Sequence, residues 1–230
     1  MTHSRLCYLN LACLCVALSD LPSYPHNIIC IMQDYFWSVK SPGNVRVSNA
    51  TGVRFTRCEF TQLGGVALDF SRTQDCIVES SYFHDISGAA IQIGQFQDPL
   101  GAPADRNNTV VNTIVNKAGA EYSGAAGINV GYTVGTRLLS NDVSNMSYVP
   151  ISVGWGWSRH ACYNCTNAAA NIIQKNRVHD YKQTLNDGGG ICEYIDIDMQ
   201  PTTAGHESDH HVHAGCGTKQ TCWVLRMVLT

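Results

Sequence analysis

The residues GVRFTRCEFTQLGGVALDF, from Gly52 to Phe70, return in altered form 23 positions later (75 − 52) as DCIVESSYFHDISGAAIQI, from Asp75 to Ile93. The two copies align without a gap, so that apolar residues fall on apolar residues and turn residues fall on turn residues. A fixed period of about 20 to 50 residues is typical of solenoid proteins, in which each repeat buries its apolar face by stacking on the next. The sequence therefore predicts a stack of repeats.

Each copy contains short apolar runs that alternate with polar residues, such as Val53 and Phe55, then Phe60, then Val66 to Phe70. Alternation with a period of two indicates β-strands, and the frequent glycine and polar pairs break the chain too often for helices. Three short strands in about 23 residues fit one triangular coil of a parallel β-helix. We therefore expect an all-β fold, a right-handed parallel β-helix (solenoid) of about five rungs.

Two apolar columns and one polar column extend this pattern through later, longer repeats. The columns are Phe60, Phe83, Ile114, Val143 and Val178; Leu68, Ile91, Ile128, Ile151 and Ile191; and Cys58, Ser81, Asn112, Asn141 and Asn176. Stacked asparagine side chains can hydrogen-bond to one another along a solenoid and so satisfy buried amides. Asparagine is also a common turn residue, and this remains the alternative explanation of the polar column.

The composition limits which classes of partner we expect for the chain. Its 230 residues are 44% hydrophobic and 14% charged, and the formal net charge is −3. This length supports one domain with a substantial core, and the charge gives no reason to expect a nucleic acid or an anionic membrane as a partner.

The sequence predicts four segments: a signal-peptide-like segment at 1–19, a lead-in at 20–43, the β-helix at 44–195 and an irregular tail at 196–230. Residues 6–18 form an apolar run before Ala17-Leu-Ser19, which resembles a secretory signal and is too short to span a membrane. A buried N-terminal helix or strand is the alternative. Secretion is the expected localisation, and four N-x-S/T glycosylation sequons are compatible with it: Asn49, Asn107, Asn145 and Asn164.

The tail collects histidines and cysteines, including His210, His211, Cys216 and Cys222. Their spacing matches no standard zinc site. We therefore expect no metal and no cofactor.

Polar residues alternate with the inward-facing residues of the last strand in each rung, and they form a column that points away from the core: Asp69, Gln92, Asn129, Ser152 and Cys192. A solvated sheet face would explain any single member. Together, hydrogen-bonding side chains about 4.8 Å apart match an oligosaccharide or polysaccharide. A polysaccharide lyase is the less favoured enzyme class, because this column lacks lysine and arginine.

Four further residues are candidates for sugar chemistry. Trp155 lies between two glycines and Trp157 follows the second of them, and tryptophan faces stack on sugar rings. The alternative is that one or both fill the core or brace the insertion at 159–170. Asp187 precedes three glycines, which is also an ordinary turn sequence. Glycoside hydrolysis needs two carboxylates about 5 to 9.5 Å apart, and the available partners for Asp187 are Glu121 and Asp69.

The strings Pro150-Ile-Ser-Val-Gly-Trp-Gly-Trp157 and Asp187-Gly-Gly-Gly-Ile191, together with the rung pattern over roughly residues 44–191, resemble right-handed parallel β-helix proteins of the pectin-lyase-like class. Within that class the chain is most similar to the group that contains glycoside hydrolases acting on fucosides and xylan. The resemblance implies a secreted, carbohydrate-active protein in which Asp187 matches one of two catalytic acids. The second acid has no matching position, since the chain continues from Ile191 into Cys192-Glu-Tyr-Ile.

Two functions follow as hypotheses. The first is a glycoside hydrolase-like enzyme with Asp187 as the catalytic candidate and with Glu121, Gln92, Asp69, Trp155 and Trp157 as candidate sugar contacts. The second is a non-catalytic β-helix that binds glycan or serves a structural role. The chain is also expected to be a fragment, because the resemblance stops abruptly at both ends. It follows that activity itself stays uncertain.

Overall fold

The computed structural model describes residues 7–8, 41–96, 102, 104–154, 167–186, 188–193, 222–224 and 227–228. Every regular element in these ranges is a β-strand, which confirms the all-β prediction. No helix in this part of the chain is long and apolar enough to cross a membrane.

The strands form three sheets, which we call sheets A, B and C and whose strands are numbered in chain order. Sheet A contains, in spatial order, β1 (Cys7–Tyr8), β4 (Cys58–Leu63), β7 (Tyr82–Ile86), β10 (Ile114–Ala118), β13 (Asp142–Ser144), β16 (Asn176–His179) and β18 (Cys222–Val224). Sheet B contains β2 (Gly43–Thr51), β5 (Val66–Gln74), β8 (Ile91–Ile93), β11 (Ile128–Val130), β14 (Ile151–Val153) and β17 (Ile191–Glu193). Sheet C contains β3 (Arg54–Thr56), β6 (Ile77–Glu79), β9 (Thr109–Val111), β12 (Arg137–Leu139), β15 (Ile172–Gln174) and β19 (Met227–Val228).

The chain passes from sheet C to sheet A to sheet B and then repeats the circuit, pairing each strand in parallel with the equivalent strand one circuit away. The segment from β3 to β17 completes five such circuits, which confirms the predicted parallel β-helix of about five rungs. At the far end, β18 and β19 pair antiparallel with β16 and β15. The predicted segments 1–19, 20–43 and 196–230 lie almost wholly outside the described residues.

The interior of the coil is apolar because alternate residues of each strand point inward. The Leu68 column pairs as the sequence predicts, through Ile91, Ile128, Ile151 and Ile191. Phe60 and Phe83 stack with ring centroids 4.4 Å apart. Both are fully buried, and each such side chain contributes about 1.5 to 3 kcal/mol of burial free energy.

The corners between sheets C and A are turns of one or two residues in every circuit. Each holds one residue in the left-handed backbone region: Arg57, Ser80, Asn112, Ser140 and Lys175. The following position turns inward, and its side chain carries the predicted polar ladder. Thr113 N–H donates to Asn141 Oδ1 at 3.0 Å, and Asn141 N–H donates to Asn176 Oδ1 at 2.9 Å.

Two residues of the third rung are misplaced in the sequence prediction. Thr113, not Asn112, occupies the polar ladder, and Val115, not Ile114, occupies the Phe60 column. Asn112 is the exposed left-handed residue of the corner, and Ile114 is 48% exposed on the outer face. A slip of one residue exchanges the two faces of a strand, so both errors have a single cause.

A second set of buried amide links was not predicted. Between sheets B and C, Asn108 Oδ1 accepts from Cys76 N–H at 3.0 Å, and Asn171 Oδ1 accepts from Thr136 N–H at 2.9 Å. The Asn171 amide also donates to the Thr133 carbonyl. Asparagine side chains therefore link neighbouring rungs at two of the three corners, as a ladder between sheets C and A and as two separate links between sheets B and C.

Candidate functional site

The longer connections of the coil all border sheet B. The turns from sheet C to sheet A have one or two residues, whereas the connections into sheet B reach eleven residues, at 180–190, and those out of it reach eighteen, at 154–171. Functional residues concentrate on loops that a rigid scaffold positions. The outer face of sheet B, which lies between these loops, is therefore the candidate site.

One row of side chains runs along this face, and we call it the outer row: Asp69, Gln92, Asn129, Ser152 and Cys192. Its members are direct partners on adjacent parallel strands, as the sequence predicts. Asp69, Gln92, Asn129 and Ser152 each lie between two residues of the core, as Asp69 lies between Leu68 and Phe70. The row therefore projects away from the core, with one side chain about every 4.8 Å.

The outer row is buried, although it points away from the core. The residues Asp69, Gln92, Asn129 and Ser152 are only 0 to 5% exposed. The alternative of a solvated sheet face is therefore wrong for these four positions. Ser41 is one residue that lies over the row, since its carbonyl accepts a hydrogen bond of 3.1 Å from Gln92 Nε2.

Three oxygen atoms of the outer row have no hydrogen-bond partner within the described part of the chain: Gln92 Oε1, Asn129 Oδ1 and Ser152 Oγ. An unsatisfied buried polar atom costs about 1 to 3 kcal/mol, and most buried polar atoms in proteins are satisfied. The two amide oxygens are acceptors, and a serine hydroxyl can accept as well as donate. A ligand that presents several hydrogen-bond donors in a line would satisfy these atoms, and to reach them it would have to displace the chain that covers the row, such as Ser41.

The charge of the outer row is confined to one end. Arg46 precedes Asp69 in the same register, and its Nε atom lies 3.6 Å from Asp69 Oδ2. The inference that this column lacks lysine and arginine is therefore wrong. Arg46 lies 23 positions before Asp69 (69 − 46), so the sequence repeat contained the signal that would have found it. The next three members, Gln92, Asn129 and Ser152, carry neutral side chains.

The remaining predicted site residues do not join the outer row. Glu121 is exposed in the connection between β10 and β11, where its N–H donates to the Ser87 carbonyl at 3.3 Å. That connection lies at the border of sheet B. Asp187, Trp155 and Trp157 lie outside the described residues. No three histidine, cysteine, aspartate or glutamate side chains of the described chain are grouped as metal ligands.

Comparison with known proteins relates this architecture to one enzyme. No protein-family model and no curated protein matches the chain. A solved structure described as "Glycoside hydrolase" is similar, with a TM-score of 0.54 and 26% sequence identity over 65% of this chain. The similarity covers 26% of that protein, so the chain spans about a quarter of its length. The predicted β-helix and its likeness to a glycoside hydrolase are confirmed.

Proposed function

We propose that this chain is a carbohydrate-active β-helix that holds an oligosaccharide along the outer row and is related to glycoside hydrolases. The observation that carries the proposal is a line of three buried oxygen atoms, on Gln92, Asn129 and Ser152, that have no hydrogen-bond partner among the described residues. Successive sugar units present hydroxyl donors along a chain, and the rung spacing of about 4.8 Å places one acceptor in each step. The similarity to a glycoside hydrolase supports the same ligand class.

For hydrolysis we propose Asp187 as the catalytic acid, on the basis of the sequence resemblance. The connection that contains Asp187 in the sequence leads into β17, and β5, which carries Asp69, lies four strands away in sheet B. Four spacings are about 19 Å, whereas glycosidase carboxylates are about 5 to 9.5 Å apart. Glu121 precedes β11, which lies two strands from β17, and is therefore the better candidate partner. Trp155 and Trp157 are proposed to stack on sugar rings.

The alternative is glycan binding without hydrolysis. Asp69 is the only carboxylate among the five members of the outer row, and it already pairs with Arg46. A row of neutral amides and a hydroxyl recognises sugar hydroxyls but supplies no acid for the glycosidic oxygen. This observation favours a binding protein if no acid pair forms near β17.

Calorimetric titration with xylo-oligosaccharides and fucosylated oligosaccharides tests both functions. We expect Gln92→Ala and Asn129→Ala to weaken binding about three- to tenfold each, the effect of one lost hydrogen bond. Gln74 is an exposed glutamine on β5, so Gln74→Ala is the matched control and should bind as the wild type does.

Hydrolysis distinguishes the two functions. The enzyme is supported if the wild type hydrolyses these sugars and Asp187→Asn abolishes hydrolysis while it retains binding. Binding without hydrolysis supports the alternative, and no binding to either sugar class refutes both.

We also propose that the protein is secreted and carries N-linked glycans. The sequon residues Asn49, Asn107 and Asn145 are all exposed, so the folded chain can carry a glycan at each. Treatment of the protein from a eukaryotic secretory host with peptide N-glycosidase should lower its mass. A secreted chain with no change in mass would contradict the glycosylation.

A further inference from the structure

The outer face of sheet A carries a second ordered set of side chains, on a different sheet from the outer row. Two columns run along it in strict register. They are Glu59, Tyr82, Ile114, Asp142 and Arg177; and Thr61, His84, Asn116, Ser144 and His179. The border between sheets C and A carries only the one- or two-residue corners, so no long loop rises beside the face there.

An apolar step interrupts this polar face at its middle. Tyr82 is 39% exposed and Ile114 is 48% exposed, and they are the large hydrophobic residues that the described chain leaves exposed. They are direct partners on β7 and β10. Their side chains therefore lie side by side and form one continuous apolar surface.

The Tyr82 ring is held in place from one side. It stacks on the His84 ring with centroids 4.4 Å apart and an angle of 21° between the planes. The His84 ring is itself fixed, since Nε2 lies 2.9 Å from Glu59 Oε1 and Nδ1 lies 3.3 Å from Thr61 Oγ1. A fixed aromatic ring loses little conformational entropy when a ligand binds on its exposed side.

Each carboxylate of the two columns on this face has a partner beside it. Glu59 contacts the His84 ring beside the apolar step. Farther along, Asp142 contacts both Arg177, at 3.1 Å, and His179, at 3.0 Å. The face therefore presents no strong field of one sign that would select a charged partner.

We propose that Tyr82 and Ile114 form a second saccharide-binding surface, which adheres to the flat side of a polysaccharide outside the outer row. The exposed side of the Tyr82 ring would stack on a sugar ring with Ile114 beside it, as aromatic side chains do with apolar surfaces. His84 and Asn116 flank the step with polar groups for the sugar hydroxyls. This inference rests on the proposed carbohydrate function of the chain.

The size of the apolar step favours a saccharide over a protein partner. A whole aromatic side chain buries about 150 to 250 Å², so 39% of Tyr82 offers at most about 100 Å², and 48% of the smaller Ile114 adds no more than about as much again. A stable protein interface buries about 800 Å² on each partner. One sugar ring is small enough for a step of this size to bind.

Sedimentation of the full chain with insoluble xylan tests this surface. We expect Tyr82→Ala to weaken retention about three- to tenfold, the effect of one lost aromatic contact, while Tyr82→Phe retains the ring and binds as the wild type does. Titration with short soluble xylo-oligosaccharides, which report on the outer row, should be the same for both variants.

Each result of this experiment has one meaning. Equal retention of Tyr82→Ala and the wild type would overturn the second surface and leave the proposed function intact. The second surface would also be overturned, with the proposed function intact, if the wild type binds the soluble oligosaccharides but not the insoluble polymer. If the wild type binds neither form, both this inference and the proposed function fail together. Equal urea midpoints for the variants and the wild type show that the fold is unchanged.

Discussion

The substitution Asn141→Ala tests the polar ladder at its most connected position. Asn141 is 1% exposed, and its side chain makes three hydrogen bonds. Its Oδ1 accepts from Thr113 N–H at 3.0 Å, and its Nδ2 donates to the Val110 carbonyl at 3.0 Å and to Asn176 Oδ1 at 2.9 Å. Alanine removes all three bonds, and the buried Thr113 N–H is left without this acceptor.

The expected loss of stability follows from these contacts. Each lost hydrogen bond is worth about 1 kcal/mol net, and a stranded buried donor adds about 1 to 3 kcal/mol. Asn176 Oδ1 still accepts from Asn141 N–H, so part of the network survives. We therefore expect Asn141→Ala to lower the free energy of unfolding by about 3 to 5 kcal/mol, a large part of the 5 to 15 kcal/mol typical of a domain.

Urea unfolding, with the midpoint and slope compared between variants, measures this loss. Asn112→Gly is the control, because Asn112 is exposed at the corner with a φ of 50°, which glycine adopts without strain. It should stay within about 0.5 kcal/mol of the wild type. Hydrogen exchange at Thr113 should accelerate in Asn141→Ala alone. A loss below about 1 kcal/mol, with the Thr113 amide still protected, would refute the ladder as a source of stability.

Two further predictions concern the scaffold. Gly127→Ala should lower the free energy of unfolding by about 1 to 3 kcal/mol, because an added Cβ would lie 2.7 Å from the Pro150 carbonyl oxygen. Gly64 has open space around it, so Gly64→Ala is the control and should unfold at the same urea concentration as the wild type. Asp85 and Lys117 form an exposed ion pair of 2.8 Å, and the hydrogen bond from Lys117, followed by its charge, lowers the pKa of Asp85. The small stabilisation is therefore complete above the unfolded-state pKa and is lost as the pH falls through the folded-state pKa. Asp85→Asn should unfold earlier than the wild type in urea near neutral pH and together with it in strong acid; an equal difference at both pH values would contradict this assignment.

The sequence predicted the fold best where its repeats are closest in length. The copies at Gly52–Phe70 and Asp75–Ile93 align without a gap, and their pairing in sheets A and B is as predicted. The third rung follows a fifteen-residue connection at 94–108, which removes the fixed spacing. Ile114 and Val115 are both β-branched and apolar, so periodicity alone could not decide which of them points inward. The tight corner at Asn112 decides it.

For the candidate site, the sequence predicted which residues share a row but not that these residues are buried. Alternation with the core residues placed Asp69, Gln92 and Asn129 in one row, because strand geometry depends on neighbours in the chain. Their burial depends on residues far away in sequence, such as Ser41, which lies 51 positions before Gln92. No local pattern carries that information. The roles of Asp187, Trp155 and Trp157 stay predictions.

The register of sheet B has a consequence for how such a site changes in length. Each circuit of the chain adds one strand to sheet B and one side chain to the outer row. A duplicated circuit of about 23 residues would therefore extend the row by one step of about 4.8 Å without altering the contacts already present. Since each rung contacts its nearest neighbours, the number of rungs would, under the proposed function, set how many sugar units the face can follow. In such a protein, duplication and deletion of coding segments would tune ligand length in whole steps.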